Sequence, residues 1–379
     1  MPTMNRHERI MAASRKKRAD KLPFFHYWRH SQIGWAEREC RNRGMGMGWT
    51  RPCYVEKMHG VEISQRWATS AGHTVVHRSY STPVGTVSTT ERWEPGVGQW
   101  HAQRSWRDIS PWQTERLIKE PEDYRVVKYM VENTEYVADY FPVEQAMDWL
   151  GHDGVVLSAL PHSPMQMLMI DWVGSEGGRF FFHHADYPDL VEDLYQALCK
   201  SREPLYEIAA KAPTAIVLCG DNLDGVLVSP KLFQTYFMPV YEKQAQILHA
   251  HDKLMAVHMD GRLGGLKHLI AQTEVDIVEA FHPPPMGDLS LAEALSRWPD
   301  KAIWLGFPSS VYLLGPEATR DYTLKLLTEA GPGERLVITM STENLVSNEN
   351  LLMLTTVLAG ADLPLTIEKI DHIKAMCTQ

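Results

Sequence analysis

Five short apolar runs decide the reading of this chain: Ala215-Ile216-Val217-Leu218-Cys219, Leu254-Met255-Ala256-Val257-His258, Val275-Asp276-Ile277-Val278-Glu279, Ala302-Ile303-Trp304-Leu305-Gly306 and Leu336-Val337-Ile338-Thr339-Met340. Each has the length of a strand and is followed by a longer segment with helical spacing, the pattern of parallel β/α units. Ligands in such architectures collect at the carboxyl ends of the strands. The chemistry is therefore expected at Asp221, His258, Asp260, Glu279, His282 and Glu343.

Working outward, Gly154-Val155-Val156-Leu157-Ser158-Ala159-Leu160 reads as a further inner strand and Pro23-Phe24-Phe25-His26-Tyr27-Trp28 as the first. A polar helix is expected over residues 4 to 20, a helix from Pro121 to about Asp139, a Met-rich helix from Pro164 to Trp172 and a long amphipathic helix over 188 to 211. Strands near residues 24, 58, 156, 216, 256, 277, 304 and 337 number eight, which with their helices make a (β/α)8 TIM barrel. The whole chain, 1–379, is expected to form one such domain, with residues 29–112 as an antiparallel, Trp-rich excursion near the barrel mouth. Eight of the twelve tryptophans fall between Trp28 and Trp112, and Thr82-Pro83-Val84-Gly85 marks a corner between two β-rich runs. Those tryptophans suit a small apolar layer or, in a sharper reading, an aromatic wall for a planar ligand, with Trp28 as a substrate contact.

Composition narrows the class. A chain of 379 residues with 44% hydrophobic and 22% charged residues can bury a barrel-sized core. The net charge of -9 argues against nucleic acid as a partner. The basic cluster Arg15-Lys16-Lys17-Arg18 reads as a solvated helix face. No apolar run has the length of a membrane helix, and five cysteines without a CxxC pair suit a reducing, cytoplasmic setting.

Several motifs resemble the uroporphyrinogen decarboxylase superfamily: Cys219-Gly220-Asp221-Asn222-Leu223, Ser229-Pro230-Lys231-Leu232-Phe233, Pro239-Val240-Tyr241, Val257-His258-Met259-Asp260-Gly261, Glu279-Ala280-Phe281-His282-Pro283-Pro284-Pro285-Met286-Gly287-Asp288 and Ile338-Thr339-Met340-Ser341-Thr342-Glu343-Asn344. The likeness covers roughly residues 210 to 360, and Thr82-Pro83-Val84-Gly85-Thr86 resembles the β excursion of the methyltransferase-like members. It implies a (β/α)8 barrel and one of two chemistries. These are cofactor-free decarboxylation of porphyrinogen acetate side chains and zinc-dependent methyl transfer involving corrinoid proteins or thiols. A homodimer is also implied.

Two departures from the family choose between these. The decarboxylases carry an Arg-rich segment after the first strand, whereas Tyr27-Trp28-Arg29-His30-Ser31-Gln32-Ile33-Gly34 offers one Arg for a polyacidic substrate that needs several charge-assisted donors. The thiol methyltransferases hold zinc with a His-x-Cys pair and a later Cys; here stand His258-Met259-Asp260 and Thr342. Zinc would then have nitrogen and oxygen donors, taken from His258, Asp260, Glu279, His282 and Glu343, and would act on an oxygen-linked methyl group. The resemblance thus implies a methyltransferase of the O-demethylase type, moving a methyl group from a small, possibly aromatic, donor to the cobalamin of a partner corrinoid protein. The chain has no D-x-H-x-x-G stretch of its own. A metal-free decarboxylase or lyase, or a non-catalytic ligand-binding member, is the alternative.

Each candidate has a plainer reading beside the functional one. His258, at a strand end, is a ligand or proton carrier, or an ordinary hydrogen-bonding residue. Asp260 before Gly261 suits a helix cap. Glu279 in an apolar strand is costly unless paired, which favours function. Glu343 suits a helix N-terminus as well as a ligand set. Asp221 points to the mouth as a general acid or base. Its neighbour Asn222 is a substrate contact or, like Asp224, a turn builder. Tyr241 is a catalytic candidate that also suits helix packing, and His162 a substrate contact that also suits a loop.

Overall fold

The computed structural model describes residues 3–31, 33–93, 111–340 and 346–377. Eight parallel strands close into a barrel: β1 Phe24–Tyr27, β2 Gly46–Pro52, β3 Gly154–Leu160, β4 Ile216–Cys219, β5 Leu254–His258, β6 Ile277–Phe281, β7 Ala302–Gly306 and β8 Leu336–Thr339. Each pairs with its chain neighbours, and β1 seals the ring by pairing Phe24 with Ile338 on one side and Phe25 with Gly46 on the other. This is the expected (β/α)8 architecture, with antiparallel sheets added.

The second strand lies elsewhere than expected. Residues near 58 pair antiparallel, Tyr54–Met58 against Thr134–Ala138, and the barrel takes Gly46–Pro52 instead. The reason is steric. A Cβ on Gly48 would lie 2.4 Å from Phe25 Cε2 in the ring, and one on Gly46 would lie 3.3 Å from both Ile10 Cδ1 and Phe25 Cβ. A strand whose inward positions are glycines carries no apolar alternation to read. Three expected helices are also shorter or divided, the N-terminal one spanning Arg6–Ser14 rather than 4 to 20. The one from Pro121 stops at Glu132 with Asn133 as its cap, and the chain turns into the strand Thr134–Ala138. The long helix divides into Pro188–Ser201 and Glu203–Ala210, where Pro204 lacks the N–H that would continue the first. The Met-rich helix begins at Pro164 and widens into a π-helical turn over Met167–Trp172.

The chain forms two compact units, one of residues 1–53, 140–161 and 209–379, the other of 54–139 and 162–208. The first holds the barrel. Its interior is one apolar cluster that includes Phe25, Val155, Leu157, Ile216, Leu218, Leu254, Ala256, Ile277, Ala302, Trp304 and Val337. Ile10 and Ala13 of the N-terminal helix Arg6–Ser14 join the same cluster, and Trp304 Nε1 donates to Ser14 Oγ at 3.1 Å, so this helix stops the lower end. The basic cluster follows the helix and touches protein as well as solvent: Arg15 pairs with Asp252 at 3.3 Å and Lys16 donates to the Asp300 carbonyl at 3.0 Å. The second unit contains a four-stranded antiparallel sheet, in which His73–Thr82 and Gly85–Trp93 turn at the expected Pro/Gly corner. Among the described residues, no helix is long and apolar enough to cross a membrane.

Candidate active site

Strand alternation builds the site. On β5, Leu254 and Ala256 face the barrel core, so His258, two residues on, faces it at the upper end. The same count places Glu279 after Ile277, Tyr27 after Phe25, and Gly306 after Trp304. His258 and Glu279 are also direct register partners on adjacent strands. The pairing of β6 with β7 slips between Val278 and Phe281, and Ala280 there sits at φ +56°. A residue with a Cβ in that region costs on the order of 1–3 kcal/mol, a local strain at the position that carries Glu279.

The side chains form one connected chain of contacts. Tyr27, reaching across the barrel interior, donates its hydroxyl to Glu279 Oε1 at 2.8 Å. Glu279 Oε2 lies 2.5 Å from His258 Nδ1, and His258 Nε2 lies 3.5 Å from Asp260 Oδ2. Glu279 is 1% exposed, whereas the His258 side chain keeps 29% of its surface. Burial opposes charge on His258, but the two carboxylates outweigh it and raise its pKa to about 10. Burial likewise pushes Asp260 up, and the His258 imidazolium, with His282 adding, holds it below the usual carboxylate range. The Tyr27 hydroxyl is driven well above its ordinary value by burial and by the Glu279 charge.

His282 completes the cluster from the loop after β6. Its ring occupies the space that a side chain at Gly306 would need: a Cβ there would lie 2.5 Å from His282 Nε2. Burial, reinforced by the His258 charge, lowers its pKa against the pull of Asp260. Its Nδ1 is buried without a hydrogen-bond partner among the described residues.

Asp221 and Tyr241 lie at the same end of the barrel. Asp221, fully buried two residues beyond β4, accepts a hydrogen bond from Tyr241 at 2.6 Å. Tyr241, on the helix Met238–His249, packs its ring edge-on to Phe233 and Phe237. This pair is at the same end of the barrel as His258, because β4 and β5 run parallel and Leu223 N donates to the His258 carbonyl at 3.4 Å. Asn222 lies in the turn between. Asp224 builds that turn, accepting from Val226 N at 2.8 Å. Trp28 opens a single helical turn after β1, with its ring 5.4 Å from Trp49, over which the Arg51 guanidinium sits at 4.5 Å. His162 belongs to the second unit, where its ring pairs with Asp171 at 2.6 Å. Glu343 lies outside the described residues. Tyr27 was not among the sequence candidates, although it stands two positions after Phe25 at the upper end of the first strand, which is the signal that places it.

As they stand, the described side chains do not fit a zinc site. No group of three or more His, Cys, Asp or Glu residues is arranged to hold a metal ion among them. Both ring nitrogens of His258 already face carboxylate oxygens.

No family model matches the chain, and neither does any curated protein. Among solved structures, it is similar to a methyltransferase from Methanosarcina mazei at 10% identity and a TM-score of 0.54, over 98% of this chain and 99% of that one. At that identity the likeness concerns the fold. A broad-specificity GH5-4 endoglucanase from an uncultured bacterium aligns over 69% of this chain and 88% of its own, with 9% identity and a TM-score of 0.35.

Proposed function

We propose that this protein is a methyltransferase of the O-demethylase type, taking a methyl group from a small oxygen-linked donor and delivering it to the cobalamin of a separate corrinoid protein. The observation that carries the proposal is His258 clamped between Glu279 and Asp260 at the upper end of the barrel. Breaking a methyl–oxygen bond leaves an electron pair on oxygen, and a positioned acid that protonates this oxygen contributes roughly 10²–10⁴-fold. His258 Nε2 is the nitrogen turned away from the buried Glu279, so it is the one from which a proton leaves. Glu279 stabilises the charge on the ring, and Asp260 orients the outward edge. The carbon–oxygen bond breaks as the methyl carbon bonds to the reduced cobalt, whose electron pair forms the new bond. The oxygen keeps the old pair and takes the proton. The full-length fold match to a methyltransferase supports the reading.

Zinc on His258, Asp260, Glu279, His282 and Glu343 is a second version of the proposal that requires these side chains to leave the paired arrangement described above; it would supply Lewis acidity in place of the proton. Metal analysis separates the two, since about one zinc per chain that is lost in His258→Ala establishes the loaded form. A small-molecule donor, a corrinoid protein and a second copy of the chain in a homodimer are the partners this reading calls for. The direct test incubates the purified chain with 2-methoxyphenol, alone and with free cob(I)alamin. Methylcobalamin formed only when both are present supports methyl transfer. Release of carbon dioxide from a carboxylic acid without any corrinoid establishes the lyase alternative instead.

A further inference from the structure

We infer that Tyr27 is a positioning residue of this site, its hydroxyl holding Glu279 so that one carboxylate oxygen alone serves His258. The inference rests on the methyltransferase reading for its consequence and on geometry for its basis. Glu279 has two oxygens and two partners: Oε1 accepts from Tyr27 at 2.8 Å and Oε2 meets His258 Nδ1 at 2.5 Å. The two partners approach from different walls. Tyr27 ends β1, whereas Glu279 stands on β6, with β8 and β7 between them around the ring. Within the β5–β6 pair, His258 meets Oε2 alone, which leaves Oε1 to be held by Tyr27 from across the barrel.

The Tyr27 ring is held firmly enough for that task. It lies edge-on to Phe25 at 5.0 Å, Phe25 lies edge-on to Trp304 at 5.2 Å, and Tyr27 is 8% exposed. Without the hydroxyl, Glu279 is free to turn about its terminal torsion and present either oxygen, or both, to the imidazole. With it, the Glu279–Nδ1 contact is unique, and Nε2 is kept on the side of Asp260 and the open end. Outer partners that orient metal ligands typically contribute about 10–100-fold, and a loss of that order is expected for the partner that orients Glu279.

Tyr27→Phe tests this, because it keeps the ring and its aromatic packing and removes one oxygen. In the cob(I)alamin assay with 2-methoxyphenol, kcat should fall about 10- to 100-fold with KM unchanged. A second readout needs no activity. In ¹⁵N-histidine-labelled protein, the His258 Nδ1 proton in its short bond to Glu279 should resonate far downfield, and this signal should shift or broaden in Tyr27→Phe. If the Phe variant does not fold, the wild-type hydroxyl can be followed by ¹³Cζ-tyrosine labelling, and the Tyr27 signal should move in Glu279→Gln. A wild-type chain that transfers no methyl group overturns the functional reading, yet the His258 spectra still decide the role of Tyr27. An unchanged His258 resonance in Tyr27→Phe, or an unmoved Tyr27 signal in Glu279→Gln, reduces Tyr27 to core packing and overturns the inference.

Discussion

The two ends of the barrel solve opposite problems with the same strands. At the lower end, cations meet backbone oxygens. Lys253 donates to the Ala212 and Thr214 carbonyls at 2.7 and 2.8 Å, and Lys301 to those of Thr273 and Val275 at 2.6 and 3.2 Å. Arg335 reaches the Leu295, Trp298 and Lys301 carbonyls at 3.0, 2.8 and 2.6 Å. Charge there neutralises the carbonyl ends of loops and helices and stops where they are satisfied. Towards the upper end, His258 and Glu279 bring charge inward, Gly306 leaves the space that the His282 ring fills, and Ala280 accepts strain. One end is satisfied by its own contacts, and the other carries the cluster on which the proposed function rests.

That contrast predicts how substitutions separate. Glu279→Gln should produce the largest effect on chemistry: it keeps the volume, removes the charge that sustains the His258 imidazolium, and turns an amide N–H₂ towards one of its partners. Methyl transfer should drop by about 10²-fold or more, with circular dichroism and urea midpoint showing an intact fold. Retained activity would break the assignment of the upper end. Gly306→Ala, on the neighbouring strand, should drive His282 from its position, because a Cβ would lie 2.5 Å from its ring. A loss of roughly 1–3 kcal/mol of stability together with reduced activity is expected, and the double variant with His282→Ala should recover the stability and not the activity.

The lower end should respond in the other currency. Lys301→Met removes an ammonium that two buried carbonyls share and should lower unfolding stability by about 2 kcal/mol, measured in urea, while kcat and KM stay at their wild-type values. A change in kcat there would show that the two ends are coupled and the division is false.

Much of this contrast was legible in the residues, and the exceptions have physical causes. β5 and β7 lie where their apolar runs do, and Glu279 stood out because a carboxylate within Val-x-Ile-Val-Glu-Ala has to be paired. β2 escaped because Gly48 gives its space to the Phe25 ring and Gly46 lies against Ile10 and Phe25 Cβ, which no local pattern shows. Tyr27 escaped because an aromatic residue following two phenylalanines reads as packing; its hydroxyl matters only through a carboxylate 252 positions away. Asp221 and Tyr241 were both suspected, but their pairing depends on how the helix Met238–His249 returns over the barrel.

The smallest expected effect sharpens the lower end by pH. Arg9, on the helix that stops the barrel, holds Asp20 through two bonds, Nε to Oδ1 at 2.7 Å and a terminal nitrogen to Oδ2 at 2.9 Å. The Arg9 hydrogen bond is the main reason that the Asp20 carboxyl sits below its usual value. A carboxylate whose folded pKa lies below its unfolded one contributes stability above the unfolded value, and that contribution disappears as pH falls through the folded one. Asp20→Asn should therefore lower stability at neutral pH, by no more than about 1 kcal/mol for a partly exposed pair, and the difference from wild type should close as pH falls below about 4. Added salt should shrink the neutral-pH difference as well. A gap that persists unchanged in acid would mean that Asp20 acts through its neutral hydrogen bonds to Met4 and Lys21, and that the lower end is held by geometry rather than charge.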